Sequence, residues 1–167
     1  MSATTLPEST PLGGDLPIAN RFLLEVDGVQ IGVFKSVSGL SVSINTPEIT
    51  EGGENGFTHK VPGRMSWPNL VFRAGVTDSD AFFAWVQKTA GEEFTAAGNK
   101  VVRSTGAVTA IAADGTRLRA WKFRDMFAVA WKGPDFDAEA TGPLEEELEV
   151  AHHGFTQSTV GTPGGGR

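Results

Sequence analysis

Two Asp-Gly dipeptides, each set between runs in which apolar and polar residues alternate, constrain this chain more than any other feature. In "RFLLEVDGVQIGVFKSVSG" the apolar residues fall at Phe22, Leu24 and Val26, then, after Asp27-Gly28, at Val29, Ile31 and Val33. A period of two puts them on one face of a strand, and Asp-Gly supplies the positive φ angles of a type I′ turn, so the stretch predicts a β-hairpin. A second hairpin is legible in "AVTAIAA", the turn Asp114-Gly115 and "TRLRAWKFRDMFAVAW". An apolar fraction of 40%, with 21 glycines and 9 prolines, fits a turn-rich β architecture better than a helical bundle, and 167 residues suffice for one domain with a core. That core leans on 11 phenylalanines and 4 tryptophans, because large rings contribute much of the burial in small sheets.

Further strands follow the same logic. "LSVSIN" alternates Leu40, Val42 and Ile44 against Ser41, Ser43 and Asn45, which predicts one face in the core and one that is small and polar. "MSWPNLVFRAG" resumes as a strand with Pro68 marking an edge or a bulge, and "LEEELEVAHHGF" closes the domain with Leu148 and Val150 inward. Between Glu51 and Arg64, "EGGENGFTHKVPGR" has the wrong chemistry for a tight turn and reads as a long, bendable arm joining two strands. One helix is predicted in "VTDSDAFFAWVQKTAG": Thr77 caps its start with Asp80 three residues on, acids occupy the first turn, Lys88 lies in the last, and Gly91 follows the end. Phe82, Trp85 and Val86 share a stripe at helical spacing that packs on a sheet. The ends, residues 1–19 and 156–167, are rich in Pro, Ser, Thr and Gly and predict flexible segments around one β domain at 20–155.

Several functions are closed off. Without cysteine there is no disulfide, thiolate metal site or cysteine nucleophile. A net charge of −6 argues against non-specific nucleic-acid binding, which relies on clustered cations to release counterions. No apolar run reaches membrane-spanning length, so no membrane insertion is expected, and "MSATTLPESTPLGGDLP" has no basic start followed by an apolar block, so the chain is expected to be made without a secretory signal. His152 and His153 are neighbours on a strand and point to opposite faces, which suits a solvated strand end rather than a shared metal. "SVSGLS" lacks the Gly-x-Ser-x-Gly of a nucleophile elbow; "EGGENG" lacks the Gly-Lys-Ser/Thr ending of a phosphate loop, and its glutamates repel phosphate. No catalytic residue, cofactor or metal is expected.

Charge is segregated along the chain. Arg117, Arg119, Lys122, Arg124 and Lys132 fall in one hairpin arm and its exit against Asp125 alone, whereas residues 135–149 hold seven acids and no base. One account pairs these charges across strands within the subunit. The other sets the basic edge of one copy, Arg117, Arg119, Lys122 and Arg124, against the acidic edge of the next, Glu145, Glu147 and Glu149, a head-to-tail contact that closes into a ring.

The segments "RFLLEVDGVQIGVFKSVSGLSVSI", "EGGENGFTHKVPGR", "NLVFRAGVTDSDAFFAW", "WKFRDMFAVAWKGPDF" and "LEEELEVAHHGF", in this order from Phe22 to Phe155, resemble the tail-tube proteins of contractile phages and, most closely, the inner-tube proteins of extracellular contractile injection systems. The resemblance implies a mainly β (α+β) subunit, two packed antiparallel sheets forming a barrel-like body with one flanking helix. It further implies a hexameric ring whose subunits share a barrel around a lumen, stacking of rings into a rigid tube, and a sheath whose contraction propels that tube to deliver cargo. Sheath, baseplate and cap proteins, and cargo in the lumen, are then the partners besides the chain itself. A bacterial cytoplasmic origin and a place in a phage tail-like particle follow from the same likeness.

By this resemblance the arm contacts the neighbouring ring, with Glu51, Glu54, His59, Lys60 and Arg64 as polar contacts and Phe57 as its large apolar anchor. Ser41, Ser43 and Asn45 are the lumen-facing candidates, and the helix lies outside the barrel, where it meets the sheath. Two other readings stand beside this one. A phage tail tube differs from an injection-system tube by its genomic neighbours, and a small β-barrel module holding an apolar ligand keeps the fold without needing the arm.

Overall fold

The computed structural model describes residues 18–49, 52–53, 58–76, 80–90, 95, 98, 100–101, 103–137, 139 and 141–159. The first hairpin joins β1 (Ala19–Val26) to β2 (Val29–Phe34), and Asp27 and Gly28 both take the positive φ of a type I′ turn, 49° and 79°. Asp27 also reaches sideways: its Oδ1 accepts from the Thr105 N–H at 2.8 Å, and its own N–H donates to the Thr105 carbonyl at 2.8 Å. The second hairpin joins β9 (Ser104–Ala112) to β10 (Arg117–Lys132) by a different turn. Only Gly115 has positive φ there, the Gly115 N–H donates to the Ala112 carbonyl, and the Ala112 N–H donates to the Thr116 carbonyl. That is a three-residue loop ending in a left-handed glycine. Asp114 stiffens it by accepting from the Thr116 N–H at 2.9 Å, and this bond holds its carboxyl below the usual carboxylate range.

β10 runs for 16 residues and belongs to two sheets. Its first half pairs with β9 on one side and β12 (Phe155–Thr159) on the other; its second half pairs with β11 (Glu145–Ala151). The register shifts between Phe123 and Met126, where Asp125 takes φ 52°, so a bulge turns the strand from one sheet into the other. β11 then pairs with β8 (Leu70–Gly75), and β8 with β3 (Ser36–Ser38). The architecture is mainly β with all strands antiparallel: a five-stranded sheet β2-β1-β9-β10-β12 and a four-stranded sheet β10-β11-β8-β3. Among the described residues the sheets do not close into a barrel.

Between them lies an aromatic and aliphatic core in which Phe34, Phe72, Phe123, Leu24, Leu70, Met126, Leu148 and Val150 are fully buried. The helix α1 (Ala81–Ala90) packs on it through Phe82 and Trp85, 3% and 6% exposed, with Val86 partly covered, as its stripe predicts. The Phe34 ring sits between Phe72 at 4.9 Å and Phe82 at 4.8 Å. Gly32 makes the second contact possible, because a Cβ there would lie 2.3 Å from the Phe82 ring. The helix starts later than predicted: the Ala84 N–H donates to the Asp80 carbonyl, the first turn carries no acid, and Lys88 is in the last turn. Thr77 and Gly91 lie outside the described residues.

"LSVSIN" departs from its prediction. Only Ser43–Ile44 forms a strand, β4, and Leu40, Val42 and Ile44 are 37%, 46% and 48% exposed instead of entering the core. The physical reason is the lack of a partner. Gly39 takes φ 86° and ends the pairing of β3 with β8, and among the described residues no strand runs beside residues 39–42.

Phe34→Ala removes the ring on which both Phe72 and Phe82 rest. It is expected to cost about 3–5 kcal/mol, read as a lower urea midpoint with an unchanged far-ultraviolet spectrum of the folded protein.

Candidate functional site: the arm, its root and the free sheet edges

The arm is a two-stranded ribbon, and its described part is built from very short rungs. β4 (Ser43–Ile44) pairs with β7 (Met65–Ser66), and β5 (Glu48–Ile49) pairs with β6 (His59–Lys60). Backbone bonds bridge the gap: Asn45 N–H to the Arg64 carbonyl, Gly63 N–H to the Asn45 carbonyl at 2.6 Å, and Val61 N–H to the Pro47 carbonyl. Gly63 is required, since a Cβ there would meet the Asn45 oxygen at 2.7 Å. From Ser43 to Ile49 the ribbon extends about 20 Å at about 3.3 Å per residue. Ile44, Ile49, Val61 and Met65 are exposed along it, and Lys60 Nζ stands 3.8 Å from Glu48 Oε1. Of the residues singled out for contact with a neighbouring ring, His59, Lys60 and Arg64 are exposed on the returning strand. Glu51, Glu54 and Phe57 lie outside the described residues.

The root of the arm is held by a histidine that sequence reasoning placed at a solvated strand end. His153 is indeed exposed, but His152 is buried, 5% exposed. Its Nδ1 accepts from the Gly154 N–H at 3.1 Å, so the neutral ring carries its proton on Nε2 and donates it to the Pro68 carbonyl at 3.1 Å. The ring lies edge-on to Phe123 at 5.0 Å, with Trp67 and Phe155 beside it. Asn69 adds a second tie, donating from Nδ2 to Glu149 Oε1 at 2.7 Å. Gly39, on the outgoing side, leaves no room for a Cβ against the Asn69 carbonyl. Trp67-Pro68-Asn69 is thereby clamped to β11 and the corner that follows it.

The acidic edge finds its partners inside the subunit. Lys35 Nζ pairs with Glu145, Arg73 Nε with Glu147 Oε2 at 2.9 Å, and Asn69 with Glu149. Within one subunit Glu145 and Glu147 thus have cationic partners, as the first of the two accounts of the charge pattern expects. The basic set is divided as well. Lys122 pairs across from Ala107 and Thr156, Arg119 from Ala110 and Thr159, and a bulge between Arg117 and Arg119 puts these two on opposite faces. Arg117 Nη1 lies 4.0 Å from Glu25 Oε2, and Arg124 flanks Gly154. The bases that pair with the acidic run are Lys35, just before β3, and Arg73, in the neighbouring strand β8.

Two edges of the four-stranded sheet end without a neighbour among the described residues. β3 pairs only with β8, and β10 beyond Met126 pairs only with β11. Ser41, Ser43 and Asn45 are exposed just past the β3 edge, with Ser43 opposite Ser66. Val129 and Trp131 are exposed on the β10 side, where Phe83 meets Trp131 edge-on at 5.3 Å. Among the described residues no three His, Asp or Glu converge as metal ligands. Among the described residues the sheets stay open and large buried side chains fill the space between them, which does not fit a ligand-holding barrel.

This open sandwich with an external ribbon is matched by known proteins. The model of the T4-like virus tail tube protein gp19 family matches residues 18–156. The chain belongs to this family. A chain of the PVC sheath–tube complex, from an extracellular contractile injection system, superposes on this tube protein with a TM-score of 0.72 at 25% identity, covering 88% of this chain and 94% of that one. A chain from the PVC sheath/tube terminator gives 0.71 at 25% identity, covering 88% and 100%. One from the anti-feeding prophage tube-terminating cap shares the fold, with 0.68 at 22% identity over 96% and 100%. No curated protein matches the chain. The protein is a structural tube subunit of the contractile type. No described helix is long and apolar enough to cross a membrane.

Burial lowers the pKa of His152, so the neutral ring is the one the fold accepts. Arg103, Arg124, Asp125, His153 and Glu149 are the charged or titratable groups nearby. Stability is full above the unfolded histidine value of about 6.5 and declines as pH falls from there through the lower folded value. Urea midpoints between pH 7 and 5 are expected to fall in the parent and to fall less in His152→Gln.

Proposed function

We propose that six copies of this tube protein, each a single domain over residues 20–155, form a ring around a channel, and that rings stack through their arms. The observation that carries this is the segment Leu40–Ile44. Its sequence alternates as a strand does, yet among the described residues of one copy no strand lies beside 39–42, and Leu40, Val42 and Ile44 stay exposed. A buried or paired strand pattern without its partner calls for that partner from a neighbouring chain, and the unpaired length of β10 offers one. Head-to-tail joining of two different edges closes into a ring when the rotation allows.

In this reading the four-stranded sheet turns its outward face to the channel. Its strands β3 and β8 lead directly into the arm, so they run along the direction in which rings stack. Ser41, Ser43 and Asn45 continue that wall beyond the β3 edge. Glu51, Glu54, Phe57, His59, Lys60 and Arg64 meet the next ring, and Arg117, Arg119, Lys122 and Arg124 remain for contacts between copies. The helix α1 faces outward toward a sheath. Such a subunit is mechanical and not an enzyme: the tube is a conduit that sheath contraction drives outward with its cargo, between a baseplate and a cap, in a particle that works outside the cell. Relatives in the sheath–tube, cap and baseplate structures support this set of partners.

Negative-stain microscopy of the purified protein is expected to show six-fold rings and stacked tubes; a protein that stays monomeric under assembling conditions would sink the reading. Deleting Gly53–His59 is expected to leave rings that no longer stack. Val42→Asp is expected to leave a folded monomer, with unchanged circular dichroism and no rings by size-exclusion chromatography.

A further inference from the structure

Phe136 is the most exposed large apolar side chain among the described residues, 87% exposed, and it stands in the loop that leaves β10. Its neighbours on either side, Asp135 and Asp137, line a hollow of about 400 Å³ together with Leu144. Leu144 and Val76 are exposed as well, and the Val76 N–H donates to the Leu144 carbonyl at 3.1 Å. These groups form an apolar ledge at the end of the four-stranded sheet where Gly75 pairs with Glu145. The hollow beside it is acidic: five carboxylates line it against Arg73 and Lys132. Arg73 engages Glu147, Lys35 reaches Glu145 from outside, and the Trp131 indole donates to Glu146 at 3.1 Å. Among the described residues no ion pair engages Asp135, Asp137 or Lys132, so carboxylates stay in excess by two even with Lys35 counted.

We infer, on the stacking reading above, that this ledge and its hollow receive the arm of a second copy from the adjoining ring. The two surfaces lie at opposite ends of one strand. The arm returns through Trp67-Pro68-Asn69 into Leu70, the first residue of β8, and the ledge begins where β8 ends, at Gly75. Copies that follow one another head to tail along β8 therefore bring the arm of one to the ledge of the next, and an arm of about 20 Å overlaps it. Their chemistry is complementary in two respects. Ile44, Ile49, Val61 and Met65 on the arm and Phe136, Leu144 and Val76 on the ledge are apolar groups that a lone copy leaves uncovered. Residues 58–66, the returning side of the arm, carry His59, Lys60 and Arg64 and no acid, and Arg64 is in no ion pair among the described residues, which suits a hollow with carboxylates in excess. An exposed aromatic ring beside a charged rim is the usual anatomy of such a contact. A neighbour within the same ring meets the sheet edges β3 and β10 instead, not the ends of the strands.

The chain has no cysteine, so thiols can be placed in pairs. Val61→Cys and Phe136→Cys are combined in one chain, and assembled tubes are treated with a short bismaleimide. A denaturing gel is expected to show a ladder running past six copies, because each subunit is joined to one in the next ring, while either single substitution gives no ladder. A ladder that stops at six puts the contact within one ring. Tubes that give no ladder, with Leu144→Cys in place of Phe136→Cys as well, leave the ledge to another partner such as a sheath protein. Either result overturns the inference while stacking through the arm stands. Where the thiol variants do not assemble, charge exchange decides. Arg64→Glu is expected to lower the sedimented tube fraction at least about fivefold, and adding Asp135→Lys and Asp137→Lys to the same chain to restore it to within about twofold of the parent; no recovery overturns the inference. Absence of tubes from the parent protein overturns the stacking reading itself.

Discussion

The structure depends on one strand serving two sheets. β10 turns at Asp125, a non-glycine residue held at positive φ, and the turn is fixed from outside: the Arg124 N–H donates to the Gly154 carbonyl and the His153 N–H to the Arg124 carbonyl. Asp125 itself stands 3.4 Å from His153 Nδ1. Because the bend is locked, Phe123 and Met126 on either side of it point into the same interior, and both are fully buried. Each sheet then covers the apolar face of the other, which neither does alone.

That arrangement leaves edges, and the edges organise everything functional. A five-stranded and a four-stranded layer joined at one strand have ends that a closed barrel would lack. The covering helix seals the core near Phe34 and Trp131 without pairing with any strand. In the four-stranded sheet, backbone along β3 and the far half of β10 remains open among the described residues, flanked by Leu40, Val42 and Val129, and in the five-stranded sheet β2 and β12 are the edges. In a lone soluble domain such exposure is a liability; in the proposed ring it is the interface.

The fold was legible wherever the deciding contacts are local. Asp27-Gly28 specifies its turn by two backbone angles, and the stripe Phe82-Trp85-Val86 needs only helical periodicity to find the core. Legibility failed where the partner is distant or absent. "LSVSIN" has the alternation of a strand but no neighbour among the described residues, so Leu40 and Val42 came out exposed. Which bases pair with Glu145 and Glu147 was not legible, because Lys35 and Arg73 lie 110 and 74 residues away in sequence. His152 was misread for a related reason: its burial comes from Pro68, Phe123 and Phe155 meeting around it, which no spacing reveals. The arm was visible from its glycines and charges, whereas its ladder of short rungs was not.

If rings stack through the arm as proposed, that ladder has a consequence for how a stack corrects its own errors. An isolated two-stranded ribbon is at best marginally ordered in water. Much of the ordering cost of the arm therefore falls at the moment of docking, which keeps a first, ill-fitting encounter weak and lets it come apart. Only an alignment that covers Ile44, Ile49, Val61 and Met65 together recovers enough apolar contact to outlast that cost.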